Sequence, residues 1–323
     1  MPSVEQIALE RQKLNQSIRQ FFCDRGFVEV ETPIVVQSPG MEPNLCPFET
    51  TVLEPDGTRH LAGLITSPEY SMKKLLGLGM QKIFTLTKVF RNEEELGGSH
   101  NPEFTMLEWY AQGMDYQACM DETQALVETC AHEFGSRLPV FDRKRVGDLL
   151  REHTGVDLDV ATLESLKQAC ERLDIHFVPT DTQSDLFYRL FLAKVEPQFS
   201  SGSIFVYDYP ICQAALSKLT ADGKYGQRFE LYINGLELCN GFTELTNGEE
   251  QRKRFLEEAQ ERAELGKTIF PIDETLLGLL PSVQQPAYGN ALGVDRLHMV
   301  VTNRSSIEDV ILFPTSSLFN NKI

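Results

Sequence analysis

The sequence predicts an α+β fold: a mainly antiparallel β-sheet flanked by helices. Three observations carry that expectation. The stretches KIFTLTKVF and EFTMLEWY alternate between two faces with the period of a strand. They flank the polar run NEEELGGSHNP, whose glycines, asparagines and proline turn the chain back as a long hairpin loop. Along the rest of the chain, strand-like segments outnumber simple β-α-β units.

In chain order, Ser3-Val4-Glu5-Gln6 has the form of a capping box, and Ile7, Leu14, Ile18, Phe21 and Phe22 make one apolar helical face. Gly26 ends that helix, and Phe27 to Pro33 (FVEVETP) reads as a short strand. The proline lacks a donor, which places this strand at an edge or an interface. Phe48 to Leu53 and His60 to Leu64 form a strand pair turned at Pro55-Asp56-Gly57. A helix then starts with Ser67 at its cap and Pro68 at its first position. In the hairpin, Arg91 ends the first strand and Phe104 opens the second. A cation facing an aromatic plate suits a ligand with a phosphate and a flat base.

Asp115 to Phe134 is a helix with Tyr116, Cys119, Thr123, Leu126 and Cys130 on its apolar face, and residues 141–200 hold two or three further helical segments. Ile204 to Tyr209, Arg228 to Ile233 and Leu236 to Phe242 read as strands, the last two joined by an Asn234-Gly235 turn. Glu249 to Leu265 is a charged, solvated helix. From Tyr288 the chain returns to a glycine-punctuated strand, a helix (Val294 to Val301) and a last strand, Val310 to Phe313.

Composition narrows the function. The 30 basic residues against 47 acidic give a net charge of −17, the wrong sign for gripping a long nucleic acid. Seven cysteines stand singly with no C-x-x-C pair, which fits reduced thiols in a cytosol. Isolated histidines without H-E-x-x-H argue against zinc. No stretch is long and apolar enough to span a membrane, and the first residues are too polar for a signal peptide.

Five motifs stand in one order: GFVEVETP, TSPEY, FRNE…HNPEF, ELCNGFTEL and GNALGVDRL. Together they resemble the lysyl subgroup of the class II aminoacyl-tRNA synthetases, from about Glu5 onward. The resemblance implies the class II catalytic fold, with a six- or seven-stranded antiparallel sheet. It also implies one catalytic domain over residues 1–323, with a helical insertion at about 141–200, and a homodimer with GFVEVETP at its interface. The first motif begins about 20 residues in, so the anticodon-binding barrel of the lysyl enzymes is expected to be missing. In this, and in the alanine of ALGVDRL, the chain is more similar to the elongation factor P–(R)-β-lysine ligase family.

That family implies activation of (R)-β-lysine by ATP and Mg²⁺ as an adenylate, then transfer to a lysine side chain of elongation factor P. The alternatives are a truncated lysyl-tRNA synthetase, opposed by the acidic balance, and a non-catalytic regulator, opposed by the retained Arg91, Arg296, Glu237 and Glu244.

By resemblance, Arg91 and Arg296 are the catalytic cations. Arg91, Asn92, Glu93, Asn101, Phe104, Glu237, Leu238, Gly293 and Arg296 hold the nucleotide, with Arg296 on the far face of an adenine stacked on Phe104. Ser67, Pro68, Glu69, Tyr110, Glu244 and Ala291 hold the amino acid, and Glu237 and Glu244 hold the metal. Under regular alternation Glu237 and Glu244, seven residues apart, lie on opposite faces of a strand. A bulge or bend at Gly241 would bring them to one side. Trp109, facing away from Tyr110, reads as core, and Cys239 as a small buried residue rather than a nucleophile. Alternation puts residues 289, 291 and 293 on one face, where the Ala291 methyl would crowd an α-amine and spare a β-amine.

Overall fold

In the computed structural model, which describes residues 2–214 and 216–319, the chain opens with α1 (Val4–Asp24). Its stripe of Leu14, Ile18, Phe21 and Phe22 is buried, as the spacing requires. Ser3 caps the helix by accepting from the Gln6 N–H. The capping box is only half formed, because the Gln6 side chain donates to Glu10 instead.

The expected strand at Phe27 to Pro33 shrinks to β1 (Val28–Glu29), which pairs in parallel with the next strand of the sheet. Val30 adds one more backbone bond, to Phe84, before Pro33 ends the run. It does lie at the sheet edge. A small separate sheet follows: β2 (Val35–Val36), β3 (Glu49–Leu53) and β4 (Arg59–Leu64), in the order β2-β4-β3. The helix α2 (Glu69–Gly77) leads into β5 (Lys82–Phe90) and β6 (Glu103–Gln112), the antiparallel hairpin, with Val89 opposite Phe104.

Next come α3 (Tyr116–Glu133), capped by Asp115, and β7 (Phe141–Arg145), a strand not foreseen in the sequence. Three helices follow, α4 (Val146–Thr154), α5 (Leu163–Arg172) and α6 (Gln183–Leu190). They close their own core of Leu149, Leu186, Phe187 and Phe191 against the flank of the sheet. That flank is formed by β8 (Ser203–Pro210) and β9 (Tyr225–Ile233), and β10 (Leu236–Thr243) returns through the Asn234-Gly235 turn. The chain ends with α7 (Gly248–Glu264), α8 (Glu274–Leu279), β11 (Ala287–Gly293), α9 (Val294–Thr302) and α10 (Thr315–Phe319). The last strand expected at Val310 to Phe313 is irregular. Phe313 takes a positive φ of 57° and Pro314 follows, and neither suits a strand.

Among the described residues the large sheet has eight strands in the order β1-β5-β6-β11-β10-β9-β8-β7, one or two more than the resemblance implies, and only its two edge pairings are parallel. One face is dry. Leu107 and Trp109 of β6, Tyr288 and Leu292 of β11, and Phe229 and Leu231 of β9 pack there against Phe22 of α1, Leu126 of α3 and Leu297 of α9. Trp109 is fully buried there, as expected. The opposite face of the central strands carries the polar groups.

Candidate active site

Register decides which side chains share that face. Phe104, Met106, Glu108 and Tyr110 alternate outward from β6, and the last three stand opposite Gly293, Ala291 and Gly289 on β11. Ala291 in turn faces Asn240 of β10. The two carboxylates of β10 join this face through a bulge. Glu237 pairs with Tyr232 and Cys239 with Leu231, so Leu238 is the extra residue. One extra residue inverts the alternation, and Glu237 falls on the same side as Asn240, Phe242 and Glu244. The bulge sits at Leu238 rather than Gly241. Gly241 has a different task, since a Cβ there would stand 2.7 Å from the Phe229 ring.

One end of this face is a cleft lined by Arg91, Phe104, Glu94, His100, Glu237, Ala291 and Arg296. The Arg91 guanidinium lies 5.3 Å from the centre of the Phe104 ring. Its Nε is buried without a hydrogen-bond acceptor. Burial lowers its pKa, against the pull of Glu94, Glu42 and Glu237. An enclosed cation with a spare donor is a place for an anion. Arg296 is held elsewhere. Its Nη1 donates to the Glu237 carbonyl (2.9 Å), Nε to the Ser99 carbonyl (3.2 Å) and Nη2 to His100 Nε2 (3.0 Å). Burial and Arg296 itself keep the His100 pKa low, so its ring is free to accept. The guanidinium lying over the bare Phe104 ring is that of Arg91.

Burial and the nearby Glu230 push the Glu237 carboxyl up to about 7, against the pull of Arg296. Its side chain is 42% open to the cleft, so water screens part of that shift.

The other end is a buried acidic cluster, in which Glu108, Tyr110, Glu244 and Lys73 are each at most 3% exposed. Ser67 Oγ accepts from the Glu69 N–H and donates to Glu108 Oε1 (2.5 Å), while the Tyr110 hydroxyl donates to Glu108 Oε2 (2.8 Å). Glu244, just past β10, pairs with Lys73 at 2.6 Å, and Lys73 also binds Glu69 one helical turn back. Burial and Glu69 push the Glu108 carboxyl up to about 8, with Ser67 and Tyr110 pulling the other way. Gly289 lies beneath Glu244 and Tyr110. A Cβ there would stand 2.6 Å from Tyr110 Cδ1 and nearer still to Glu244 Oε1.

A family model described as tRNA synthetases class II (D, K and N) matches residues 1–317 of this chain. The chain belongs to the class II tRNA synthetase family. Among its curated relatives are proteins named elongation factor P–(R)-β-lysine ligase. The one from Hamiltonella defensa is 39% identical over 316 residues, 95% of this chain and 94% of the relative. Those from Yersinia enterocolitica and Proteus mirabilis are also 39% identical, with the same coverage of each chain.

Within this class II tRNA synthetase chain, most residues singled out by sequence converge on the two ends of one sheet face. Arg91, Asn101, Phe104, Glu237, Leu238, Ala291, Gly293 and Arg296 line the cleft. Leu238 does so while burying its side chain in the core, as a residue offering its backbone would. Ser67, Glu69, Tyr110 and Glu244 belong to the acidic cluster, with Pro68 supporting the turn before α2. Asn92 and Glu93 are exposed and outside the cleft lining. Glu93 has a positive φ of 62° and accepts from the Cys46 thiol. Asn101 is occupied: its amide donates to the Glu103 carbonyl, and its oxygen accepts from the Thr315 N–H.

Glu237 and Glu244 do not meet at one ion. Glu244 is committed to Lys73, and seven residues of strand are worth roughly 20 Å. Gly293 leaves room for a Cβ, which would meet only Arg296 atoms at 3.8 Å. Cys239 is buried in the core, its thiol pushed up to about 12 by burial, as befits a packing residue.

Sequence reasoning passed over Lys73, Glu108, Glu94, His100 and Asn240. Two of them left a trace. Glu108 is a carboxylate between Leu107 and Trp109 in an apolar strand, and Glu69–Lys73 has the spacing of a helical ion pair.

Proposed function

We propose that this chain is an ATP-dependent ligase that activates (R)-β-lysine as its adenylate and passes it to a lysine side chain of translation elongation factor P. The reading is supported by one arrangement above all. A cation with a buried spare donor and a cluster of three carboxyl groups around a single lysine lie on the same sheet face. An activated carboxylate would be made between them, with ATP at the arginine end and a diamino acid at the acidic end. The relatives bearing that name match nearly the whole chain, and this gives the reading its acceptor.

In the first half-reaction a carboxylate oxygen of β-lysine attacks the α-phosphorus, and the bond to the bridging oxygen of diphosphate breaks. Arg91 neutralises charge that builds on the α-phosphate, and Phe104 gives the base a flat apolar wall. Glu69 and Glu244 orient the ammonium groups, and Glu108 holds Ser67 and the Tyr110 hydroxyl in place beside them. In the second half-reaction the lysine amine of elongation factor P attacks the acyl carbon, and AMP leaves. An amide forms, and a proton is released from the attacking nitrogen.

Glu237 and Glu94, both in the cleft, suit Mg²⁺, which takes one or two carboxylates and completes its shell with phosphate oxygens and water. Bound there, it would offset the charge of the phosphates. Glu244 is not part of that donor set.

The net charge of −17 opposes tRNA as the acceptor. Among the described residues no helix is long and apolar enough to cross a membrane; we place the protein in the cytoplasm, where single thiols stay reduced. Val28, Ile34, Val35 and Leu61 are each more than a third exposed around β1 and the small sheet, and we assign this apolar surface to a two-fold homodimer interface. A monomeric mass by light scattering at micromolar concentrations would rule that out.

The decisive experiment incubates the protein with ATP, (R)-β-lysine or α-lysine, and elongation factor P, followed by intact mass and release of AMP. One added β-lysyl group is expected. An unmodified acceptor with every diamino acid would overturn the reading.

A further inference from the structure

The acidic cluster contains a cation of its own. Lys73 is 2% exposed on the second turn of α2, and its ammonium binds Glu69 Oε1 and, at 2.6 Å, Glu244 Oε2. Burial works to lower its pKa, but Glu244 and Glu69 prevail and hold it above its ordinary value. Its Nζ also sits 5.1 Å from the centre of the Phe242 ring. So the group is a permanent ammonium, fixed by two carboxylates and an aromatic face.

The other oxygen of Glu244 has no such partner. Neither oxygen makes a hydrogen bond: Oε2 has only its ion-pair contact with Lys73, and Oε1 is buried against Tyr110 and the bare backbone of Gly289. A buried carboxylate oxygen left without a donor is costly unless a ligand supplies one. Glu108 is different: both its oxygens are already met by Ser67 and Tyr110. One ammonium therefore ties two carboxyl groups together, hydrogen-bonded to Glu69 and ion-paired with Glu244 Oε2, and leaves Glu244 Oε1 without a donor.

We propose that Lys73 is a positioning residue for the amino-acid half of the reaction: it clamps Glu69 and Glu244 through single oxygens, so that Glu244 Oε1 is aimed at a substrate ammonium. The proposal rests on the diamino-acid reading above and adds a fixed internal cation to it. A lysine suits this role where an arginine would not. The ammonium is a compact point donor, whereas the guanidinium fork takes both oxygens of a carboxylate.

The test uses full-length protein and amino-acid-dependent ATP–diphosphate exchange with (R)-β-lysine. Lys73→Arg keeps the charge but should occupy Glu244 on both oxygens. It is expected to raise KM for β-lysine roughly 10-fold or more, as when a buried charge pair loses its geometry, with KM for ATP unchanged. Lys73→Ala should raise it at least as far, and added n-propylammonium, which replaces the missing atoms, should restore much of the loss. A purely structural lysine would lower the folded fraction or kcat without this split, and propylammonium would not mend KM selectively.

A folded Lys73→Arg with the wild-type KM for β-lysine overturns the proposal. So does a folded Lys73→Ala whose KM is unchanged or whose defect propylammonium leaves untouched. If Lys73→Ala does not fold, Lys73→Arg decides alone. Wild-type protein inactive with every diamino acid would instead defeat the underlying functional reading, before any variant is compared.

Discussion

Substituting Gly289 by alanine tests the acidic cluster with the smallest possible change. The new methyl would stand 2.6 Å from Tyr110 Cδ1 and nearer still to Glu244 Oε1. Tyr110 Cε1 would be nearer than Cδ1, and carbon atoms in ordinary contact keep about 3.5–4.0 Å, so the side chains must retreat by more than about 1 Å. Neither can do so freely. Tyr110 is fixed by its bond to Glu108, and Glu244 by its ion pair with Lys73. Overpacking of this kind costs about 1–3 kcal/mol in stability. Displacing a substrate-orienting group by about 1 Å can cost on the order of 100-fold in rate. The expected outcome for Gly289→Ala is a folded protein, its melting temperature lowered by a few degrees, with kcat/KM for β-lysine down about 100-fold. KM for ATP should not move, because the cleft at Arg91 lies further along the strands. Gly293→Ala is the control on the same strand, since its methyl meets only Arg296 atoms at an ordinary 3.8 Å. Any loss there must come from crowding the nucleotide, and so should appear in KM for ATP. A Gly289→Ala protein with the wild-type KM for β-lysine would refute the placement of the amino acid between Tyr110 and Glu244.

Arg91→Ala should cut diphosphate exchange by roughly 100-fold or more while leaving the circular dichroism spectrum intact, because it removes a charge stabiliser and not a packing residue; full activity would refute its role. Glu108 gives a pH signature. Its pKa rises from 4.5 to about 8, so the folded protein keeps a proton that the unfolded chain releases, and stability should fall as pH rises between those values. Glu108→Gln should flatten that decline in thermal melts, and an unchanged slope would count against a buried neutral carboxyl. Ala291→Gly removes the methyl facing Glu108 and Asn240. We expect it to improve activation of α-lysine relative to β-lysine by roughly 10-fold or more; an unchanged ratio would move selectivity to Glu69, Tyr110 or Glu244.

Much of this architecture was legible because its strands are long and two-faced. In EFTMLEWY the alternation alone puts Trp109 in the core and Tyr110 on the opposite face, and both are found there. What was not legible depends on events a few residues long. Val28 and Glu29 pair as a strand and their neighbours do not, which is decided by where α1 delivers the chain beside β5. Val310 to Phe313 has the composition of a strand, but no neighbouring edge offers it a partner among the described residues. Strand propensity expresses fit to a neighbouring surface, and a short segment without such a surface does not use it. Lys73 was passed over for a related reason. On the helix it is one of two adjacent lysines, and only the packing of the tertiary fold makes it the partner of Glu244.

The bulge at Leu238 shows how much can hang on one residue. Without it, strict alternation would put Glu237 on the side of Cys239 and Gly241, the dry face packed by Phe229 and Leu231. A carboxylate buried there would have no cation beside it and would cost several kcal/mol. Glu244 would still stand over Gly289, so the acidic cluster could exist without a carboxylate in the cleft. The extra residue inverts the pattern for the start of β10 only. It buries Leu238 in the core, turns Glu237 toward Arg296, and leaves the Glu237 carbonyl as an acceptor for Arg296 Nη1. The same local irregularity thus aims the one carboxylate on β10 that could assist the phosphates and anchors the arginine that closes the cleft. Without that single change of phase the cleft end of this sheet face would lose its carboxylate, while the other end would keep Glu244 and Lys73.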